Sequence, residues 1–279
     1  MDKKEMIEIL NKDLEDEHGA IIQYLSHAYA IGEGELACEI EAIAREEMRH
    51  LDWLAEIIVD LGGTPSLKRG TMRTGGAQVT DWMKNNVLLE EGAIEGYTAH
   101  IKAIDDPKIK RLLQRILSDE QSHRGDFELF VEKVAREKMK DIRGSCSDKL
   151  VQTLNWGIEH EYTVILQYIF QAYMTSNPEA QKELHDQAIN EMQHLGWLAE
   201  KLVGISGNPR IEHTRVDQTT DTADMMRSDI AIEKEVAEAY DKVANETDDP
   251  GLKELFLRLR DHELYHVEVF GDILKAEEG

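Results

Sequence analysis

The stretch EMRHLDWLAE (residues 47–56) recurs later in the chain as EMQHLGWLAE (residues 191–200). The similarity extends outward from these two segments, because residues 10–67 align with residues 154–211 without a gap. An internal repeat of this length indicates that one domain is written twice.

The repeat predicts two domains, 1–144 and 145–279. A length of 279 residues is comfortable for two compact domains. After a deletion of one residue the two copies match again at Asp105–Pro107 and Asp248–Pro250. We place the boundary after Gly144, because the short segment DIRGS (residues 141–145) ends the first copy.

Each copy is predicted to form four helices. In the first copy we expect helices over roughly 3–30, 34–61, 80–104 and 107–139. Proline at the first helical position, preceded by a capping residue, marks three helix starts, one in the first copy and two in the second: Asp106-Pro107, Asn177-Pro178 and Asp249-Pro250. The segment from Gly62 to about Thr80 is long and rich in Gly and Thr, which predicts a crossover between helices two and three. The predicted fold class is therefore all-α, with two tandem four-helix bundles that each contain one long crossover.

One pattern of Glu and His residues occurs four times in the chain and indicates its chemistry. In each, a Glu is followed thirty residues later by a second Glu, and then by His after three more residues. A single Glu-x-x-His means little in a helical protein, but four copies in register are hard to obtain by chance. The copies are Glu17, Glu47 and His50; Glu90, Glu120 and His123; Glu161, Glu191 and His194; and Glu233, Glu263 and His266.

The spacing predicts a metal site in each copy. Glu and His at positions i and i+3 share one helix face, so Glu47 and His50 reach toward one point. Glu17 returns to the same level on the neighbouring antiparallel helix, because the turn near residues 32–34 lies midway between Glu17 and Glu47. Two such hairpins gather four carboxylates and two imidazoles, and buried carboxylates need compensating charge. Two divalent ions supply it. The alternatives are solvated surface pairs, or a bundle that keeps the pattern and binds no metal.

Composition narrows the possible partners. The chain has 56 acidic and 32 basic residues and a formal net charge of -24, which argues against nucleic acid and anionic membranes as partners.

Cys38 and Cys146 form no Cys-x-x-Cys motif, which excludes a rubredoxin-type site within this chain. The N-terminal MDKKEMIEIL lacks the apolar core of a signal peptide, and no stretch is long and apolar enough to span a membrane. We expect a cytoplasmic protein.

The chain resembles the ferritin-like superfamily, and bacterioferritins most closely. The resemblance covers nearly the whole chain, once per half, and rests on the ligand order Glu, Glu-x-x-His, Glu, Glu-x-x-His. It implies two tandem ferritin-like bundles with one di-iron centre each. The implied bridging ligands are Glu47 and Glu120 in the first half and Glu191 and Glu263 in the second. The implied terminal pairs are Glu17 with His50, Glu90 with His123, Glu161 with His194, and Glu233 with His266.

The Glu on the third helix of each copy has competing neighbours. In the first half Glu91 and Glu95 lie close to Glu90, and in the second half Glu235 and Glu238 lie close to Glu233. We select Glu90 and Glu233 because they align with each other and keep the thirty-residue spacing. The additional glutamate that rubrerythrins carry one turn along this helix is replaced by Ala93 and Val236, which weakens a rubrerythrin-type peroxidase interpretation.

Two further pairs of residues are candidates for a functional role. Tyr24 and Tyr168 lie seven residues after the first Glu of their copies, where they could hydrogen-bond a ligand, take part in electron transfer, or simply fill the core. Met48 and Met192 follow directly after Glu47 and Glu191, at the position from which bacterioferritins ligate haem. The resemblance therefore implies a possible haem site, with helix packing as the alternative.

The resulting expectation is a ferroxidase-type oxidoreductase that oxidises Fe(II) with O2 or H2O2. The oxygen and nitrogen ligands suit iron or manganese. The alternatives are a subunit of an iron-storage cage, a di-manganese catalase-like enzyme, a rubrerythrin-like peroxidase, and a stress-related binding protein whose sites regulate assembly. A fused pair of units is compatible with a homo-oligomer.

Overall fold

A computed structural model describes residues 1–32, 34–136 and 148–278. These residues form eight helices, four in each copy: α1 (Lys3–Ile31), α2 (Glu35–Asp60), α3 (Val79–Ala103), α4 (Pro107–Arg136), α5 (Asp148–Met174), α6 (Pro178–Gly204), α7 (Thr222–Glu246) and α8 (Pro250–Glu278). The all-α fold class is confirmed, and the helix limits predicted for the first copy agree to within two residues where they can be compared. The predicted end of the fourth helix at 139 and the predicted domain boundary near 145 lie outside the described residues.

The helix starts follow from capping chemistry. The side chain of Asp2 accepts a hydrogen bond from the backbone N–H of Glu5, which returns the contact through its own carboxylate. Asp106 accepts from the N–H of Ile109 at 3.0 Å, ahead of the proline that opens α4. Asn177 and Asp249 cap α6 and α8 in the same way, as the sequence predicts.

Helix α2 ends where the predicted glycine pair begins. Gly62 has φ of 72°, and the N–H of Gly63 bonds to the carbonyl of Ile58 at 2.8 Å. Glycine reaches this left-handed conformation without the steric cost that a side chain imposes. Ser206 occupies the matching position in the second copy and adopts φ of 62°.

The long crossover of each copy runs along the first helix of that copy. In the first copy the N–H of Gly70 bonds to the carbonyl of Glu15, and the N–H of Arg73 bonds to the side chain of Gln23, both at 2.6 Å. In the second copy the N–H of Asp217 bonds to Gln167 at 2.9 Å. The crossover thus returns the chain to the other end of the bundle, so that the third helix starts beside the first.

An apolar core lies beside the polar cluster of each copy. In the first copy Tyr24 packs on Phe127, with ring centroids 4.8 Å apart. In the second copy Tyr168 packs on Phe270 at 5.3 Å. All four side chains are fully buried, so these rings hold the first and fourth helices of each copy at fixed spacing.

The chain divides into two compact units, Met1–Trp156 with Leu198–Ile211, and Gly157–Trp197 with Glu212–Gly279. The six predicted ligands of each copy lie within one unit. Among the described residues, no helix combines the length and the apolar composition that crossing a membrane demands.

Candidate metal centre

Each copy brings its six predicted ligand residues together inside the bundle. All twelve side chains are buried, with at most 4% of the residue exposed. In the first copy they are Glu17 from α1, Glu47 and His50 from α2, Glu90 from α3, and Glu120 and His123 from α4; in the second they are Glu161 from α5, Glu191 and His194 from α6, Glu233 from α7, and Glu263 and His266 from α8. The four helices of each copy therefore all contribute to one cluster.

Each cluster consists of two overlapping groups of four residues. Within a group, one ligand atom from each residue lies within 4.8 Å of the others. Glu47 and Glu120 belong to both groups of the first cluster, and Glu191 and Glu263 belong to both groups of the second. A carboxylate has two oxygens, so a shared residue can contact two ions at once.

The imidazoles of the first cluster direct Nδ1 inward. His50 Nδ1 lies 2.8 Å from Glu47 and 3.0 Å from Glu120. His123 Nδ1 lies 3.0 Å from the other oxygen of Glu47. Glu47 therefore stands between the two histidines, one carboxylate oxygen toward each.

The second cluster repeats this geometry. His194 Nδ1 lies 2.7 Å from Glu191 and 3.2 Å from Glu263. His266 Nδ1 lies 2.8 Å from the other oxygen of Glu191. Glu191 occupies the place of Glu47, as the repeat predicts.

Several inward-facing atoms make no hydrogen bond of acceptable geometry, although some of them lie close to one another, as His123 Nδ1 does to Glu47 and His266 Nδ1 to Glu191. Among them are one oxygen each of Glu47, Glu90 and Glu120, and Nδ1 of His123. The second cluster shows the same for Glu161, Glu191, Glu233, both oxygens of Glu263, and Nδ1 of His266. Buried polar atoms are rarely left unpaired, so a set of them facing one point fits bound cations.

Several of the carboxyl groups resist ionisation in this geometry. Burial, reinforced by the charges of Glu17 and Glu90, raises the pKa of Glu47 to about 7. Burial likewise raises the pKa of Glu233 to about 7 and of Glu191 to about 6. Without compensating positive charge, the protein favours the protonated acids.

The histidines show the opposite balance. Burial opposes their charge, but contacts with the glutamates outweigh it. The pKa of His123 rises to about 9, chiefly through Glu47, and that of His266 to about 12, chiefly through Glu191. In the metal-free protein the clusters therefore hold protons at the positions that metal ions would occupy.

The competing acids on the third helices point elsewhere. Glu91 and Glu95 are exposed on α3, and Glu235 and Glu238 are exposed on α7. The helical period explains this outcome, because only Glu90 and Glu233 lie on the face that packs into the bundle.

Tyrosine hydroxyls hydrogen-bond to the glutamates that belong to only one group of each cluster. Tyr24 donates a short hydrogen bond to Glu90, and Tyr168 donates one to Glu233. A second pair of tyrosines was not predicted from the sequence: Tyr97 donates to Glu17, and Tyr240 donates to Glu161. A signal was present, because Tyr97 and Tyr240 lie seven residues after Glu90 and Glu233, the same spacing that singled out Tyr24 and Tyr168.

The contacts made by the outward-facing nitrogens, Nε2, of the histidines were also not predicted from the sequence. The second ring nitrogen of His50 faces Asp119, and that of His123 faces Glu46. In the second copy the second nitrogen of His194 faces His262. Met48 and Met192, the predicted haem ligands, lie half-buried on α2 and α6, one residue after the shared glutamates.

Comparison with known proteins matches each half separately. The family described as "Ferritin-like domain" matches residues 7–137 and again residues 151–278. Bacterioferritin from Desulfovibrio desulfuricans is 38% identical over 128 residues, which cover 43% of this chain and 71% of that protein. Bacterioferritin from Streptomyces coelicolor is 33% identical over 125 residues, covering 43% of this chain and 75% of that protein.

The solved structure of one relative likewise matches about half of this chain. The X-ray structure of D. desulfuricans bacterioferritin, described with its diiron site in different catalytic states, is 31% identical. The match covers 52% of this chain and 94% of the D. desulfuricans chain, with a TM-score of 0.46. The family match covers both copies of the repeat, and the chain therefore belongs to the ferritin-like domain family, of which it carries two domains in tandem.

Proposed function

We propose that each half of the chain holds a pair of iron ions and oxidises Fe(II) there, with O2 or H2O2 as the oxidant. The observation that carries the proposal is the pair of overlapping four-residue groups in each bundle, buried and built from four carboxylates and two imidazoles. The bacterioferritin relatives support iron as the metal, and the solved relative is described as having a diiron site.

The proposed ligand roles follow the overlap of the groups. The shared residues Glu47 and Glu120 would hold both ions of the first centre, and Glu191 and Glu263 would hold both ions of the second, because each belongs to both groups of its cluster. The terminal ligands form four pairs: Glu17 with His50, Glu90 with His123, Glu161 with His194, and Glu233 with His266. Four carboxylates offset the four positive charges of two divalent ions, so a filled centre is close to neutral.

Iron would supply the redox chemistry when bound, because two neighbouring Fe(II) ions together give up two electrons, which reduce one H2O2 to water or one O2 to H2O2. The chain's own residues fix the distance between the two positions and exclude bulk water. The tyrosine hydroxyls fix the rotamers of the terminal glutamates. Oxygen and nitrogen donors without sulfur also accommodate manganese, so a di-manganese centre is the alternative at the same residues.

The direct test is anaerobic loading of the metal-free protein with Fe(II), followed by addition of O2 or H2O2. We expect uptake of about four irons per chain, two for each cluster of overlapping ligand groups, and growth of a near-ultraviolet ferric absorption band after oxidant. Absence of uptake, or uptake without reaction with either oxidant, contradicts the proposal. Elemental analysis of protein purified without added metal decides between iron and manganese.

Two associated proposals have separate measurements. If iron is stored, the protein forms a large hollow oligomer, which size-exclusion chromatography with light scattering detects. If Met48 and Met192 ligate haem, the protein binds added haem with an intense band near the blue edge of the visible spectrum. Leucine at both positions then abolishes that band and leaves Fe(II) uptake unchanged.

Tyr24→Phe combined with Tyr168→Phe is expected to lower metal affinity about 10-fold while keeping the number of ions bound, because outer hydrogen bonds orient ligands. Each variant removes the hydroxyl that donates to the glutamate of the third helix. Titration with Co(II) against a competing chelator measures the change. Tyr29→Phe, at a buried tyrosine further along α1, is the control and should bind as the wild type does.

A further inference from the structure

The two centres differ in the residues that contact the outward-facing nitrogen, Nε2, of their histidines. In the first centre His50 Nε2 lies 3.3 Å from a carboxylate oxygen of Asp119, and His123 Nε2 lies 2.9 Å from one of Glu46. Both inner nitrogens face the cluster, so both outer nitrogens carry the proton when the histidines bind metal. Each imidazole then donates that proton to a carboxylate.

The second centre lacks both carboxylates. His262 aligns with Asp119, and its Nδ1 lies 2.9 Å from His194 Nε2. Asn190 aligns with Glu46, and its amide donates a hydrogen bond to Gln187 at 2.7 Å. The second centre therefore lacks two outer acids, because Asp119 and Glu46 are replaced by His262 and Asn190. It also lacks one cation, because Arg49, which pairs with Glu46 at 3.2 Å, is replaced by Gln193, so the outer contacts differ by one negative charge in total.

The tautomers fix the direction of the hydrogen bond. When His194 binds metal through Nδ1, its Nε2–H donates to Nδ1 of His262, which must then be neutral and carry its own proton on Nε2. His262 is thus an uncharged acceptor and has no free lone pair for an ion of its own. A neutral acceptor raises the basicity of His194 less than a carboxylate does, and the basicity of the ligand sets its hold on the metal.

The cation that lies over a tryptophan is matched in the two centres. Arg115 lies over the ring of Trp53 at 4.3 Å, and Arg258 lies over that of Trp197 at 3.9 Å, behind the same histidines. One buried carboxyl, Asp229, stands in the second half where the first has Asn86. Its Oδ1 accepts hydrogen bonds from Gln167 and Gln171, and burial raises its pKa to about 8, so it adds little charge at neutral pH.

We propose that the two centres bind divalent metal with different affinities, the first more tightly, and that Asp119 and His262 are the positioning residues that set the difference. This inference rests on the proposed function, because it requires both clusters to be metal sites. Loss of an outer carboxylate behind a ligating histidine costs about 10- to 100-fold in metal affinity. We therefore expect the first centre to bind at least about 10-fold more tightly.

The test uses full-length variants that each keep one centre. Glu191→Ala leaves the first centre, and Glu47→Ala leaves the second. Each is titrated anaerobically with Co(II) against a chelator of known affinity, with the visible absorption of bound Co(II) as readout. The expected result is the tighter affinity in the Glu191→Ala protein, with similar Co(II) spectra in both because the inner ligands are the same.

Exchanging Asp119 and His262 between the two centres should weaken metal binding in the first centre and strengthen it in the second. Asp119→His in the Glu191→Ala protein is expected to weaken binding about 10-fold, and His262→Asp in the Glu47→Ala protein to strengthen it by a similar factor. Asp119→Asn keeps an oxygen acceptor and the side-chain volume but removes the charge, so a loss with this variant assigns the effect to charge and not to packing. If His262→Asp does not fold, Asn190→Glu supplies the second centre with its other missing carboxylate.

The outcomes separate the two proposals. Equal affinities of the two isolated centres, or exchanges that leave the affinities unchanged, overturn the inference and leave the proposed function standing. Failure of either isolated centre to bind Co(II) at all contradicts the proposed metal site in that half.

Discussion

Alanine in place of both Glu47 and Glu191 is expected to abolish iron binding, from about four ions per chain to nearly none. Each residue belongs to both ligand groups of its centre, and each is fully buried. Its loss removes one ligand from both ion positions, together with one of the negative charges that a pair of divalent ions needs. Elemental analysis after anaerobic loading with Fe(II) and removal of the excess measures the result.

The single variants locate the loss. Glu47→Ala alone should retain about two ions, and Glu191→Ala alone the other two, since each cluster lies within one compact unit. Glu91→Ala with Glu235→Ala is the matched control, because these acids are neighbours of the ligands Glu90 and Glu233 but are exposed. Full uptake by the double variant Glu47→Ala with Glu191→Ala would show that the ions bind elsewhere.

Loss of binding in these variants should not reflect unfolding. Glu47 is a buried acid whose pKa is raised to about 7, so the metal-free bundle gains little from its charge. Alanine also favours the helical conformation. The variants should therefore keep the helical circular dichroism of the wild type, and this measurement separates a lost ligand from a lost fold.

The clustering of the buried glutamates and histidines could be predicted from the sequence, because their positions depend on helix geometry alone. A Glu and a His three residues apart share a face of any helix, and equal legs on either side of a short turn return to the same level. The alignment of the two halves also singled out Glu90 on the third helix, which is buried, over Glu91, which is exposed. Capping residues such as Asp106 fixed the helix starts for the same local reason.

The outer contacts could not be predicted in that way. Asp119 is adjacent in sequence to the ligand Glu120, but it faces His50 only because α2 and α4 pack at a particular distance and rotation. His262 likewise meets His194 across α6 and α8. The helical period predicts which residues share a face of one helix. Which of these residues contact a residue of the neighbouring helix depends on how the two helices pack. The tyrosines Tyr97 and Tyr240 lie between these cases, since their spacing was visible but their partners were on another helix.

Metal binding is expected to stabilise the fold strongly, with a response to pH that is opposite to that of the metal-free protein. A ligand that binds only the native state at 100 times its dissociation constant contributes about 2.7 kcal/mol. For a bundle of this size that corresponds to a rise in Tm of roughly 10 °C. Co(II) avoids redox chemistry, and thermal unfolding followed by circular dichroism with and without Co(II) measures the shift.

The pH dependence follows from the carboxyl groups. The pKa of Glu47 and of Glu233 is raised to about 7, and that of Glu191 to about 6, against an ordinary value of 4.5. A group whose pKa is raised by folding contributes its stability below the unfolded pKa and loses it as pH rises through the folded pKa. The metal-free protein should therefore lose stability between about pH 4.5 and pH 7. Glu161 acts in the opposite sense, because contacts with His194 outweigh its burial and lower its pKa to about 2.

Bound ions reverse this trend, because they require the carboxylates ionised and the inner histidine nitrogens unprotonated. Raising the pH from 5 to 7.5 should thus enlarge the rise in Tm that Co(II) produces, as the metal-free form weakens and the ions compete with fewer protons. In the double variant Glu47→Ala with Glu191→Ala, Co(II) should leave Tm unchanged at every pH. A shift of equal size at pH 5 and pH 7.5 in the wild-type protein would mean that the stabilising ions bind outside the buried clusters, at surface carboxylates that are ionised throughout this range.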